Sequence, residues 1–417
     1  MVDGTRVEAP LFGLSPRHRL DLLKLTLHDE EAFTGKRIDE HFDEDFFGTH
    51  FWTMWCTMFA FRRWHSVAEM RRFMHLLPGF NRLEGIHRTR LNQYDSIVRP
   101  VIAWLQDHGV RLHLDSPVTD LSFAADGARV DALHWRESGV HVEQPISAAG
   151  RVFVTLGSMT EASTLRPNSS PPRYQPGIDN GSWQLWRRIA DVSPKFGNPE
   201  RFCGDVSLTS WESFTVTLRD GRFFDLMEHF TGNRAGTGGL VTFKHSGWLL
   251  SVVLAHQPHF EGQPDETHVF WGYGLHPERD GDAVAKPMYS CNGDEILEEL
   301  AHHLRLPERA GYMFEDAVCI PCVMPHITAQ FMPRYPGDRP AVLPVPRSNF
   351  AFLGQFCEMP DDTVFTVEYS VRSAQTAVYG LYGVGRDVTP LYRGFEDPSV
   401  KARALLTLST NGRELPR

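Results

Sequence analysis

The stretch that most constrains the fold runs from Asn92 to Phe123, NQYDSIVRPVIAWLQDHGVRLHLDSPVTDLSF. Tyr94, Ile97, Val98, Val101, Ile102 and Leu105 recur at helical spacing and predict one apolar helix face. Gly109 stands where a left-handed C-terminal cap belongs. Beyond it, Val110, Leu112 and Leu114 alternate with Arg111 and His113, the period of a half-buried strand, and a second strand is expected from Val118. Helix, Gly-Val, strand, turn, Val is the order of the later half of an α/β dinucleotide-binding unit. Such a unit normally opens with a glycine-rich strand–turn–helix. No G-x-G-x-x-G precedes Asn92, so the chain reads as half of that unit.

Composition narrows the function classes. A chain of 417 residues has room for two or three domains, and 41% hydrophobic with 23% charged residues is ordinary for a globular protein. The net charge is -10, and Arg62-Arg63 and Arg71-Arg72 are only pairs, which argues against nucleic acid as a partner. No apolar run reaches the ~18 residues of a membrane span. The opening MVDGTRVEAP lacks the apolar core of a signal peptide, so a cytoplasmic protein is expected. Six cysteines suggest no disulfide framework. Cys319-Ile-Pro-Cys322 has no second C-x-x-C and lies in extended-looking sequence, which predicts a buried structural pair over a zinc or redox site. His256-Gln-Pro-His259 contains Pro258, which denies it a helix interior, and lacks a spaced third ligand, so no metal is expected there.

Residues 14–47 read as helical and polar, with Ser15 a plausible cap before Pro16. Aromatic residues crowd Phe46–Trp64 and predict a helical hairpin that is either core, a pocket wall or a lipid-facing surface. Val130–Val154 reads as strands. Arg151–Thr155 reads as a short apolar strand ending in Leu156-Gly157-Ser158, either a structural turn or a place where a cofactor approaches the backbone. A loop over Pro167–Pro176, a helix over Trp183–Val192, a mixed β segment over Ser213–Tyr273 and a helix over Asp294–Leu304 follow. Val323–Arg334 and Ala351–Phe356 are expected to return to the first domain. In the last unit, Phe350–Phe356 predicts a buried strand, Asp361-Asp362-Thr363 a helix cap, and Val367, Val371, Ala374, Val378 and Leu381 a helix face. That helix either docks on the sheet or offers its N-terminus to a flavin ring.

Several segments together resemble the oleate hydratase family, the myosin-cross-reactive antigens. They are EDFFGTHFWTMWCTMFAFRRWHSVAEMRRF, NQYDSIVRP, VFVTLGSMTEAST, GSWQLW, HQPHF, FMPRYPGDRP and FLGQFCEMPDDTVFTVEYSVRSAQTAVY, in the family's order. The resemblance implies a two-dinucleotide-binding FAD flavoprotein fold of α/β class, here without its first Rossmann βαβ unit, with a mixed α+β substrate domain. The implied divisions are an aromatic, substrate-lining segment at 1–91, part of the FAD domain at 92–165, a substrate domain at 166–335, a return to the FAD domain at 336–395 and a tail at 396–417.

The resemblance also implies a reaction: FAD-dependent addition of water to the cis double bond of an unsaturated fatty acid, giving a hydroxy fatty acid with no net redox change. It implies homodimers and contact with membrane surfaces. The family's proton-donating Tyr corresponds to Phe73, and its water-activating Glu and pyrophosphate loop have no counterpart in the sequence. Gln93 and His259 match carboxylate contacts, while Val253 and Ala255 stand where the family has Thr and Asn. His259 serves equally well as an internally bonded histidine. Val118 is implied to lie near adenine, and Gly157, Ser158, Thr363, Val364 and Phe365 near the flavin. Tyr94 is an alternative acid by chemistry alone. The expected outcome is a fatty-acid hydratase impaired in activity and FAD binding, with a non-catalytic fatty-acid-binding remnant as the alternative. Without its first strands, the parallel sheet is expected to expose an edge. HQPHF and EMRR argue against an unrelated flavin oxidoreductase.

Overall fold

Alternating apolar strands build the largest element of the molecule. In the computed structural model, which describes residues 12–77, 88–174, 181–237, 240–306 and 313–411, the chain opens with helices α1 (Pro16–Leu27), α2 (His50–Phe59), α3 (Val67–Leu76) and α4 (Arg99–Asp107). Strands β1 (Val118–Phe123), β2 (Val130–Glu137), β3 (Val140–Pro145), β4 (Val152–Thr155) and β5 (Thr164–Leu165) follow. Then come α5 (Gly181–Val192), α6 (Glu200–Cys203), β6 (Trp211–Leu218), α7 (Arg222–Thr231), β7 (Val241–Thr242), β8 (Leu250–Leu254), β9 (His268–Gly274) and α8 (Gly293–Leu304). The chain closes with β10 (Val318–Met324), β11 (Phe350–Leu353), α9 (Val367–Tyr382) and α10 (Pro398–Ser409).

The main sheet has six strands in the order β5-β10-β6-β9-β8-β7, and its neighbours are antiparallel. Because side chains alternate across a strand, Phe214, Val216, Val252 and Phe270 fall on one face and pack with α7 and α8. Trp211, Trp271 and Tyr273 fall on the other and join the aromatic core of α2 and α3. A second core gathers Val154, Trp183, Trp186, Phe196, Phe350 and Phe352 around a two-stranded parallel pair, β4 with β11. The meander β1-β2-β3 flanks it. The architecture is mixed α/β.

Local signals hold where their partners are local. Ser15 accepts from the His18 amide as cap of α1, Gly109 is left-handed, and the helices expected at Trp183–Val192 and Asp294–Leu304 are α5 and α8. Other expectations are corrected. Residues 110–114 form no strand and stay exposed, since no strand of the described residues pairs with them. The aromatic hairpin is one helix, α2, followed by an irregular turn into α3. Between Ser15 and Gly48 the chain has α1 and short 3-10 turns.

The return expected at Val323–Arg334 belongs to the main sheet, as the end of β10. Cys319 and Cys322 lie three positions apart in β10, hence on opposite faces, and are two separate free thiols. The cap of α9 is Thr366, three residues beyond the expected cluster. Its buried face is Tyr369, Ser373 and Ala377, while Val367, Val371 and Val378 are exposed. The loop expected to end at Pro176 is irregular through Tyr174, and its last residues, like MVDGTRVEAP and the end of the tail, lie outside the described residues. Among the described residues no helix is long and apolar enough to cross a membrane.

Candidate functional site

Phe73 points from α3 into a box of rings and is 3% exposed. Its centroid lies 5.0 Å from Phe59, 5.3 Å from Phe61 and 5.7 Å from Phe331, and Phe331 in turn lies 5.9 Å from Phe365. The helix that presents it is pinned at its start. Ser66 caps Glu69 N–H and donates its own N–H to Phe331 O at 2.7 Å. His65 Nδ1 accepts from the Arg62 amide at 2.9 Å. Burial first, then the Arg62 charge, push the His65 imidazole down to about 3, so it is neutral at pH 7.

One turn before Phe73, α3 carries Glu69, 1% exposed. Its carboxylate accepts from Arg339 at 2.9 Å and Arg334 at 3.2 Å. Burial alone would raise its pKa, but Arg339, Arg334 and Arg72 outweigh burial and hold it down at about 2. Arg72 donates to Glu30 at 2.6 and 2.8 Å, to Glu358 at 3.2 Å and to the Asp362 carbonyl at 3.1 Å. Thr363 Oγ1 returns a bond to the Arg72 carbonyl at 3.3 Å. This network ties α3 to the loop that leads into α9. Sequence reasoning missed it, although the Glu69 and Arg72 spacing in EMRR places both on one helical side.

The loop itself is tense. Asp361 and Phe365 have φ of +62° and +72°, a region that non-glycine residues rarely occupy. Asp362 is clamped by Arg372 at 2.6 and 2.8 Å, and Gln355 Oε1 accepts from the Phe365 amide. Val364 is fully buried in the same core as Phe73, and Phe365 is exposed. Phe73, Thr363, Val364 and Phe365 therefore meet, although they stand far apart in the sequence.

Gly157 and Ser158 follow β4, and Gly354 follows β11 at the same edge of the parallel pair. Gly157 has φ +57°, and a Cβ there would come within 2.9 Å of the Trp183 and Phe356 rings. Its space is thus taken by Trp183, whose Nε1 donates to Ser158 O at 3.1 Å. Packing accounts for this glycine. Val118 stands apart, exposed in β1 opposite Trp135.

The segment that carries Gln93 bonds the backbone of the segment that carries His259. Asn92 donates to the His259 carbonyl through its N–H at 2.8 Å and its Nδ2 at 3.0 Å. Asp95 accepts from the Glu261 amide at 3.0 Å. Gln93 is exposed, and His259 is half-buried, its pKa lowered by burial against the opposing pull of Asp95. Val253 and Ala255 are buried. Among the described residues no hydrogen bond or ring contact joins this pair to the Phe73 box. Tyr94 is exposed and also outside it. Glu212, a fully buried carboxyl with neither oxygen bonded, has its pKa raised well above the usual range by burial. It lies on the sheet face with Phe214, away from Trp211 and the box. Asp282, Glu299 and His303 group metal-ligand types, but Glu299 already accepts the amides of Asp282, Ala283 and Val284 at 2.8 to 2.9 Å, which makes it a loop anchor.

Comparison with known proteins places these features in context. A family model, the MCRA family, matches residues 2–379. The chain belongs to the MCRA family. It is 37% identical over 386 residues to an oleate hydratase of Streptococcus pyogenes serotype M49 (strain NZ131), an alignment covering 88% of this chain and 65% of that protein. It is 32% identical over 434 residues to a linoleate hydratase of Lactiplantibacillus plantarum, covering 95% of this chain and 76% of the relative. The chain thus spans about two thirds of the length of the first relative and about three quarters of the second.

Proposed function

We propose that this MCRA-family chain is a fatty-acid hydratase whose aromatic box, with Phe73 at its centre, receives the cis double bond of an unsaturated fatty acid such as oleate. The observation that carries this reading is the likeness, over 88% of the chain, to a protein named oleate hydratase. Water addition puts a proton on one alkene carbon and hydroxide on the other, so it needs a positioned acid and a positioned base. Phe73 has no proton to give. Nearby, Tyr273 spends its hydroxyl on the Thr57 carbonyl, and Tyr369 donates to the Cys357 carbonyl at 2.6 Å. Without an acid among the described residues of the box, the rate should fall by a factor on the order of 10²–10⁴. Phe73 thereby favours a second reading, in which the chain holds a fatty acid without converting it.

FAD is the proposed cofactor, and the residues match one end of it. The exposed start of α9, with Thr363–Phe365 before it and left-handed Gly354 beside it, suits the polar edge of a flavin ring. The described residues include no glycine-rich strand–turn–helix for the pyrophosphate, and Gly157 is filled by Trp183. A dimer and contact with a membrane surface are part of the same proposal.

The test is to add FAD and oleate to the purified chain, following flavin absorbance and hydroxy fatty acid by mass spectrometry. Oleate should bind, with hydroxy fatty acid near background. Rapid product formation in a stoichiometric yellow protein would overturn the impaired reading. Absence of oleate binding would overturn both readings.

A further inference from the structure

A cleft of about 780 Å³ lies between the α2–α3 turn, the residues before β6 and the segment Pro287–Ser290. It shares no lining residue with the Phe73 box or with Gln93 and His259. Arg62 reaches it from a side chain that is 9% exposed. The guanidinium lies 4.4 Å over the Trp64 ring, and Trp64 is fixed by its Nε1 bond to Leu208 O at 2.9 Å. This cation–π contact holds the guanidinium against the ring and uses none of its N–H donors.

Among the described residues that guanidinium makes one hydrogen bond, to Glu278 Oε1 at 2.9 Å, and Glu278 is half exposed. The rest of the fork is left for a further acceptor. Beside it, Ser210 Oγ and Tyr289 Oη share a hydrogen bond of 2.7 Å. Two hydroxyls sharing one bond keep a second O–H free to donate. The walls are flat and apolar, with Tyr174 stacked on Tyr289 at 4.3 Å and 1° between planes. Arg62 and Arg173 outnumber Glu278 among the charged lining groups.

We propose that this cleft binds a small organic acid, with Arg62 gripping the carboxylate in its plane, the Ser210–Tyr289 pair donating a further bond, and the rings of Trp64 and Tyr174 covering an apolar body. A planar guanidinium matches a carboxylate's two oxygens, and apolar walls favour a ligand with hydrocarbon over a bare ion. A phosphate group would satisfy the same cation, so it serves as the competing arm of the test.

Isothermal titration with octanoate, octanol and inorganic phosphate decides the matter. Octanoate should bind saturably at this site, with octanol and phosphate each at least about tenfold weaker. Arg62→Gln and the double substitution Ser210→Ala with Tyr289→Phe should each weaken octanoate by about tenfold or more, the worth of a hydrogen bond to a charged group. Glu278→Gln should tighten it, and Gln93→Ala should leave it unchanged. If Arg62→Gln fails to fold by circular dichroism, the double variant Ser210→Ala with Tyr289→Phe, and Glu278→Gln, carry the test. Octanoate affinity indifferent to both substitutions, or phosphate binding as tightly as octanoate, would overturn the proposal.

Discussion

Helices α3 and α4 are both short and amphipathic, and each sits beside a residue that the sequence singles out, Phe73 and Gln93. Their surroundings differ completely. α3 buries Val67, Glu69, Met70, Arg72 and Phe73, whereas none of the residues of α4 is buried. Tyr94, Ile97, Val98, Val101 and Trp104 lie open on and just before α4. A helical period shows which residues share a face. What covers that face depends on segments elsewhere in the chain: for α3 these are Phe59 at the end of α2, Phe61 in the turn that follows it, Phe331, and the loop before α9.

The sharpest way to break this contrast is Phe73→Ala. Removing a buried ring from a packed box costs about 3–5 kcal/mol, and a urea titration should show it. A loss under about 1 kcal/mol would mean that the box is loosely packed and that α3 is no better anchored than α4.

Glu69→Gln comes next. Breaking a buried ion pair costs about 3 kcal/mol or more, and the pH dependence identifies its origin. The folded pKa of about 2 lies below the ordinary 4.5. The contribution is therefore fully present above pH 4.5 and is lost as pH falls toward 2. The stability difference between wild type and Glu69→Gln should shrink across that window. A difference that stays flat there would remove the charge network as the anchor of α3.

These two sites also mark how far the sequence could be read. Caps such as Ser15 and Gly109 were legible because their partners lie within a few residues. The strand expected at 110–114 needed a neighbour, and alternation says nothing about one. The valine pattern places the inner face of α9 out of phase because its buried side holds polar groups with satisfied bonds: Tyr369 donates to Cys357 O at 2.6 Å, and Ser373 accepts from Gly354 N–H at 3.1 Å. Hydropathy favours the valine stripe, which is exposed. The Glu69 network draws on residues 30, 69, 72, 334, 339 and 358, so no local window contains it. Asn92, the neighbour of Gln93, bonds the His259 carbonyl, and Arg72, the neighbour of Phe73, bonds the loop before α9; no spacing in the sequence predicts either contact.

Phe73→Tyr is the third test, and the one closest to function. The new hydroxyl would enter a box of phenyl rings, and an unbonded buried hydroxyl costs about 1–3 kcal/mol. A thermal melt should show that loss. Unchanged stability would mean that an acceptor stands ready in the box, and the site would then be prepared for the acid that Phe73 lacks.

The smallest expected effect is on α4. Trp104 is 58% exposed and, among the described residues, stacks only on His108 of its own helix end, at 3.9 Å. If the face is open in solution, Trp104→Ser should change stability by no more than about 0.5 kcal/mol, at every protein concentration. If a second copy of the chain covers the face, wild-type stability rises with concentration, because a partner that binds only the folded state adds to it. Trp104→Ser would then abolish that dependence. Sedimentation velocity on both proteins separates the cases: a single slow species in each leaves α4 as the uncovered counterpart of α3, while a faster wild-type species lost in Trp104→Ser would show that its apolar face, too, is interior.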